Sequence, residues 1–379
     1  MILPMKLLLL TMEFPPQFGG VAEYYGRLVE HWPNREEAIV VLQPADALAK
    51  KRFFKWPFIH RALNRAIREK NIDLILVGQI LPLGMSAYLY FLLNRLPYAV
   101  FLHGLDFSLA RRNVWKRFLS KLILRSAAAI ICTNNFTAQA VKDAGLGSES
   151  KVFVVHPAAL LNWEASPGFS AADLPFSRPE KKVLLSIGRL VPRKGFDRVL
   201  SALPLVFKQA PDLLYILIGA GPDQFRLEKI RSRLPADCQE KIYFRGAVST
   251  AEKNYWLKNS DIFIMPSREE KVLGIKDFEG FGIVYLEANL AGLPVIGVQS
   301  GGVGEAIKSG ESGLLLPDDR PKTIARAILD LYHSPEKRAL FGRQGRERAR
   351  NDFNWPGQAV KLKLILEKIF AAHQTIGCK

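Results

Sequence analysis

Two glutamates eight positions apart, Glu279 and Glu287, stand in DFEGFGIVYLEANLAGLPVIG (277–297) with Gly280 and Gly282 between them. The glycines free a loop whose amides can face a sugar and a phosphate. The pattern predicts a helix beginning near Ile283, its N-terminus toward that anion. Glu287 falls about one turn inside, where a carboxylate can accept both hydroxyls of a ribose; Glu279, on the loop, can do the same for a sugar ring. A bare pair of acids would read as solvated carboxylates, but this glycine and apolar setting favours binding. In SIGRLVPRKGFD (186–197), Arg189 leaves a strand end, Lys194 follows five residues later and Gly195 opens the next helix. Two cations on one such loop can clamp two neighbouring phosphates without a metal; the alternative is a solvated basic loop. EFPPQFGG (13–20) runs into a helical pattern, and Gly19 and Gly20 either bring the backbone close to a phosphate or form a plain turn. GAGPD (219–223) lacks the third glycine of a dinucleotide fingerprint and speaks only weakly for a dehydrogenase.

The elements that must position these residues are short aliphatic runs alternating with longer helical patterns. They are 6–12, 38–42, 73–77, 98–102, 128–133 and 151–155, then 182–187, 213–218, 241–244, 261–265, 294–298 and 313–317. Continuous branched-aliphatic strands with helices between them imply parallel sheets covered on both faces, hence two doubly wound α/β domains in series. The boundary is expected in Leu161–Lys182, which holds Pro167, Gly168, Pro175 and Pro179 and shows no periodicity. A last helix is expected over roughly 358–373, with Pro356 in its first turn.

With 379 residues, 49% hydrophobic and 23% charged, the chain is neither disordered nor a small disulfide scaffold. Cys132, Cys238 and Cys378 are far apart and have no metal or redox spacing, which suits a reducing compartment. The opening MILPMKLLLLTMEF has a short apolar run broken by Lys6 and reads as a buried first strand rather than a secretion signal. No apolar run reaches the roughly 18 residues of a membrane span, so the expectation is a cytoplasmic protein, free or held to a membrane surface. The net charge of +17 implies an acidic partner: a phosphorylated small molecule, an anionic membrane or a nucleic acid.

The E-x7-E loop, the preceding GR-x4-K motif and the early GG loop resemble the pattern of glycosyltransferase family 4, retaining enzymes of the GT-B fold. The matching stretches are EFPPQFGG, HGLD (103–106), SIGRLVPRKGFD, GAGP, RGAVS (245–249), MPSRE (265–269), EGFGIVYLEA (279–288) and SGGVGEAI (300–307). They are collinear and span nearly the whole chain. MPSRE followed by EGFGIVYLEA is similar to the phosphatidylinositol-mannoside mannosyltransferases and their lipopolysaccharide and exopolysaccharide relatives, although the loop Glu270–Asp277 follows no subgroup pattern. The resemblance implies two Rossmann-like domains facing a cleft. Residues 1–175 would take the acceptor, with helix 358–379 packing back on them, and residues 176–357 would take the nucleotide-sugar donor. It implies that Arg189 and Lys194 hold the donor diphosphate and that Glu279 binds sugar hydroxyls. Gly280, Phe281, Gly282 and Ile283 would meet sugar and phosphate, and Glu287 the ribose. Gly19 and Gly20 would close over the phosphates, His103 would sit beside the anomeric centre, and the Val248 backbone would meet the base. It implies a hexosyl transfer with retention, by a front-face route in which the leaving phosphate helps remove the acceptor proton. GDP-mannose is the first donor expected, with UDP-glucose and UDP-N-acetylglucosamine next. No Asp-x-Asp motif is present, so neither a metal nor a cofactor is expected.

Two basic segments stand apart. Residues 47–70 carry eight Lys/Arg against one acid, with Phe53, Phe54, Trp56, Phe58 and Ile59 among them; residues 106–125 carry six against one, with Val114, Trp115, Phe118, Leu119, Leu122 and Ile123 at helical spacing. Such segments suit an interfacial helix on anionic lipid, and hence a lipid-linked or glycan acceptor at the inner face of the cell membrane. The plainer reading is a packed helix with a solvated basic face. A rival of another class is a non-catalytic basic protein that binds nucleic acid. It is disfavoured because no nucleic-acid module is visible and the E-x7-E loop would serve nothing.

Overall fold

The computed structural model describes residues 5–17, 19–34, 39–44, 56–161, 169–170, 181–272 and 275–377. Residues 47–55 of the first basic segment, with Phe53 and Phe54, and most of the boundary stretch Leu161–Lys182 lie outside them. The chain divides into two units: Met1–Pro157 together with Trp355–Lys379, and Ala158–Asn354.

Unit 1 runs β1 (Leu7–Leu10), α1 (Gly20–Glu30), β2 (Ile39–Leu42), α2 (Trp56–Lys70), β3 (Leu74–Val77), α3 (Leu83–Asn94), β4 (Tyr98–Leu102), α4 (Leu105–Ala110), α5 (Val114–Ser126), β5 (Ala129–Cys132), α6 (Asn135–Asp143) and β6 (Val152–Val154). The strands form one parallel sheet in the order β2-β1-β3-β4-β5-β6, with Leu8 between Val40 and Ile75. Every residue of β1, β3, β4 and β5 is buried, as expected of a parallel sheet with helices on both faces.

Unit 2 runs β7 (Lys182–Ile187), α7 (Phe196–Phe207), β8 (Leu213–Ile218), α8 (Gln224–Arg231), α9 (Ala236–Gln239), β9 (Ile242–Gly246), α10 (Thr250–Lys258), β10 (Ile262–Ile264), β11 (Glu270–Val272), β12 (Ile275–Asp277), α11 (Ile283–Ala291), β13 (Val295–Val298), α12 (Val303–Ala306), β14 (Gly313–Leu316), α13 (Pro321–His333) and α14 (Pro335–Asp352). Its parallel sheet has the order β14-β13-β10-β7-β8-β9, while β11 and β12 pair antiparallel as a separate hairpin. The last helix, α15 (Trp355–Gly377), belongs to unit 1 and packs on α1.

All twelve apolar runs form strands, each within a residue or two of the expected bounds. The hairpin in Glu270–Asp277 is the addition that the apolar pattern does not foretell. In each sheet the strand order reverses direction once, between β1 and β3 and between β7 and β10. Open α/β sheets bind ligands beyond the carboxyl ends of the strands at such a reversal, and the singled-out motifs follow β1, β4, β7 and β10.

Candidate active site

In unit 2 the loop after β7 carries a 3₁₀ turn, Pro192–Lys194, closed by Gly195 at φ 73°. A Cβ on Gly195 would lie 2.1 Å from the Pro266 carbonyl oxygen, so only glycine lets this turn rest against the segment that leaves β10. The turn drives Lys194 inward. Its Nζ donates to Glu279 Oε2 at 2.6 Å and lies 3.3 Å from Met265 Sδ. Arg193 Nη1 donates to the same carboxylate oxygen at 2.7 Å, and Ser267 Oγ at 3.2 Å. The Nε side of Arg193 meets Asp277 Oδ1 at 3.3 Å, at the end of β12. Burial alone would raise the Glu279 carboxyl. The charges of Lys194 and Arg193, with their hydrogen bonds, outweigh it and hold the group down to about 2. Burial pulls the Lys194 ammonium below its ordinary range, and the Glu279 charge opposes that. Arg189, on the same loop, is exposed and makes no ion pair among the described residues.

Gly282, at φ 85°, ends the EGFG loop, and α11 begins at Ile283 as expected. Phe281 is buried and packs on Phe353 with ring centroids 5.5 Å apart. The hydroxyl of Tyr285 donates to the Met265 carbonyl and ties α11 to β10. Glu287, one turn into α11, is buried and accepts from Lys253 Nζ at 2.8 Å. Lys253 lies on α10, whose N-cap Ser249 directly follows Val248, so the loop expected to meet a base and the cation on Glu287 share one helix end. The glycines of GAGP serve close backbone packing. Cβ atoms on Gly219 and Gly221 would lie 1.9 Å from Gly188 O and 2.3 Å from Leu190 O, so both glycines let this turn lie against the GR loop.

In unit 1, His103 directly follows β4, half-buried between Tyr24 and Tyr25, with ring centroids at 5.4 and 5.3 Å. The one hydroxyl proton of Tyr25 goes to the Gly78 carbonyl at 2.9 Å, so His103 Nε2 must donate to the Tyr25 oxygen at 2.8 Å. That fixes the neutral tautomer with a lone pair on Nδ1. Desolvation lowers the imidazole to about 4, and desolvation raises Asp106, whose Oδ1 accepts from the His103 amide at 2.9 Å, to about 6. His103 and Asp106 line a pocket of about 400 Å³ with Glu13, Val21, Gln79 and Lys116 among its other walls. Gly19 and Gly20 are exposed at the start of α1, with Glu13 Oε2 3.7 Å from where a Gly19 Cβ would stand.

The structure thus brings Lys194 to Glu279, whereas Gly19 lines a groove with Phe14, Pro15 and Glu23, apart from the pocket that His103 lines with Glu13 and Val21. Arg193, Lys253 and Ser267 are residues that motif reading did not single out. Arg193 stood beside a chosen lysine and could have been found; nothing in the sequence marks Lys253. Among the described residues no three His, Cys, Asp or Glu side chains are grouped as a metal site. The described part of the first basic segment, α2, buries Ile59, Leu63 and Ile67 and exposes Arg61, Arg65 and Arg68, an ordinary packed helix. On α5, Ile123 and Leu124 are buried, but the first turn exposes Val114 at 79% and Trp115 at 77%, beside exposed Lys116 and Arg117. No helix among the described residues is long and apolar enough to cross a membrane.

Residues 18–159 match the family described as Glycosyltransferase Family 4, and residues 175–348 match the Glycosyl transferases group 1 domain. The GDP-mannose-dependent alpha-(1-6)-phosphatidylinositol monomannoside mannosyltransferase of Mycobacterium tuberculosis is 27% identical, over 94% of this chain and 97% of that protein. Among solved structures, sucrose-phosphate synthase from Thermosynechococcus elongatus has a TM-score of 0.77 at 20% identity, covering 97% of this chain and all of that one. HepE of Anabaena, in complex with UDP, has a TM-score of 0.77 at 19% identity over 96% of this chain and all of that one. Both share the arrangement of two parallel sheets with flanking helices.

Proposed function

Because the chain belongs to glycosyltransferase family 4, with a group 1 transferase domain in its C-terminal half and the GT-B fold, we propose that it moves mannose from GDP-mannose, with retention, to a lipid-linked or glycan acceptor at an anionic membrane surface. The observation that carries the reading is the pair of carboxylates in the E-x7-E loop, each buried and each met by a lysine, at the reversal point of the unit 2 sheet. Lys194 and exposed Arg189 hold the diphosphate and stabilise its charge as the sugar departs. Glu279 takes sugar hydroxyls, and the amides of Gly280, Phe281, Gly282 and Ile283 complete the loop. Glu287 accepts the ribose diol, and the Val248 backbone meets the base. In unit 1, Gly19 and Gly20 approach the phosphates and His103, neutral at pH 7, offers Nδ1 to a donor or acceptor hydroxyl. No metal or cofactor takes part in this reading.

The mannosyl choice rests on the mycobacterial relative, aligned over nearly its whole length. The complexes of HepE with UDP and with UDP-glucose keep UDP-glucose as the second donor to try. The membrane surface rests on α5, where Trp115 and Phe118 are exposed among cations, which suits a protein on the inner face of the cell membrane. Calorimetry with GDP and UDP, followed by transfer assays with GDP-mannose, UDP-glucose and UDP-N-acetylglucosamine, tests the reading. Tight GDP binding and transfer from GDP-mannose are expected. UDP binding alone would move the donor to the second choice, and binding of neither would end the donor assignment.

A further inference from the structure

Within the charged cluster of unit 2, three donors converge on one oxygen of Glu279. Arg193, Lys194 and Ser267 all reach Oε2, while Oε1 has no hydrogen-bond partner among the described residues and is not sealed from solvent. One carboxylate oxygen is therefore anchored and the other is left for a ligand. The two cations on Oε2 are held differently. Lys194 has a single flexible stem and a Met265 sulfur as its other neighbour. Arg193 has a carboxylate on either side: Nη1 donates to Glu279 at 2.7 Å, and Nε stands 3.3 Å from Asp277 Oδ1, an ion pair without a hydrogen bond. Asp277 is the last residue of β12 and itself half-buried. Arg189 adds positive potential to the same cluster without touching it.

We infer that Arg193 is the standing positioning partner of Glu279: it keeps that carboxylate fixed with Oε1 toward the donor's sugar, leaving Lys194 at liberty to turn to the diphosphate. The inference rests on the donor reading above and deepens it. A diphosphate arriving beside Lys194 competes with Glu279 for its three N–H donors. A carboxylate held by that lysine alone would lose its charge partner and its orientation at the moment both are needed. A guanidinium between two carboxylates is restrained from following the lysine, because the Asp277 charge attracts its other edge. The division of labour is then Arg189 and Lys194 for phosphate, Arg193 for the sugar-binding acid.

The test uses the full chain and its Arg193→Gln, Arg193→Lys and Asp277→Asn variants, with GDP and UDP as binding probes and GDP-mannose and UDP-glucose as donors. Arg193→Gln should leave the nucleoside diphosphate Kd within about threefold while kcat for transfer or donor hydrolysis falls about 10²-fold, the size expected when a reacting group is displaced by about an ångström. Arg193→Lys should restore part of kcat, and Asp277→Asn should show a smaller loss of the same kind. Glutamate carboxyl signals, read by carbon-13 NMR, give a readout independent of turnover. In Arg193→Gln the Glu279 carboxyl should titrate at higher pH than in the parent protein. Loss of GDP and UDP affinity matching that of Lys194→Ala would overturn the inference by making Arg193 a phosphate ligand. So would unchanged kcat, or an unmoved Glu279 titration. If the parent protein binds neither GDP nor UDP, the donor reading fails while the titration still decides whether Arg193 governs Glu279.

Discussion

The cations of two regions, the E-x7-E loop of unit 2 and α5 of unit 1, are used in opposite ways. In unit 2, Lys194 and Lys253 are drawn onto buried carboxylates, with partners at 2.6 and 2.8 Å. On α5 of unit 1, Lys116, Arg117 and Lys121 are exposed, as is Arg112 just before it, and none makes an ion pair among the described residues. A buried cation must be paired, because an unpaired one would forfeit its hydration. Its charge is therefore offered only to a ligand that can displace or share the carboxylate, which makes it selective. An exposed cation attracts any anion within a screening length, which makes it general and sensitive to salt.

The sharpest way to break this contrast is at Lys194. Lys194→Ala should remove a contact that strengthens as the diphosphate leaves, lowering turnover by about 10²–10³, or roughly 2–4 kcal/mol of barrier. Near-normal turnover would show that the buried cation is only structural. Next comes the pair of acids. Glu287→Ala should weaken GDP binding by about 10–10², the loss of a charged hydrogen-bonding partner for the ribose. Lys253→Met should act in the same direction and less. Glu279→Ala should leave GDP binding nearly intact and damage transfer. Equal losses of affinity in the Glu279 and Glu287 variants, read by calorimetry, would undo the division between them.

For unit 1, replacing Arg111, Arg112, Lys116 and Arg117 with Ser should lower co-sedimentation with anionic vesicles by about tenfold. Each such cation contributes at most about 1 kcal/mol, less as salt rises. Equal recovery of the parent protein on neutral and anionic vesicles would remove the surface role and leave the transferase untouched. The smallest effect concerns pH. His103 is depressed from 6.5 to about 4, so the unfolded chain binds the extra proton between those values and stability falls as pH drops through them. Asp106 is raised from 3.8 to about 6, so the folded chain binds the extra proton and stability rises as pH drops through that window. The two nearly cancel, to within about 1 kcal/mol. Asp106→Asn should expose the His103 slope: urea unfolding should then show unit 1 weakening as pH falls from 6.5 to 4.5, where the parent stays level.

What the sequence made legible follows from what is local. The strands are continuous aliphatic runs and could be read directly, as could the helix start at Ile283, where Gly282 supplies φ 85°. The hairpin in Glu270–Asp277 could not. Its strands are three residues each, and while Glu270 is met by its near neighbour Arg268, Asp277 is met from afar by Arg193. The SIGRLVPRKGFD motif drew attention to Arg189 and Lys194; the 3₁₀ turn sends Lys194 inward together with Arg193, rather than Arg189, to Glu279. Lys253 meets Glu287 across 34 positions, and Tyr25 meets His103 across 78. Such pairs exist only once sheets have brought distant strand ends together.

The helix α15 has a consequence for how the molecule is made. Unit 2 is one uninterrupted stretch, Ala158–Asn354, whereas unit 1 is completed by Trp355 and the residues after it. Trp355 is buried against Tyr24, with ring centroids 5.7 Å apart, and Leu362 and Leu366 of the same helix are buried as well. The last piece of the first-made unit therefore leaves the ribosome only after the whole second unit has emerged. Until then the Tyr24 ring, which also flanks His103, lacks its cover, and a nascent chain holds a finished second half beside an unfinished first one. The pocket beside His103 thus reaches its final shape only after Trp355 and the helix it opens have been made.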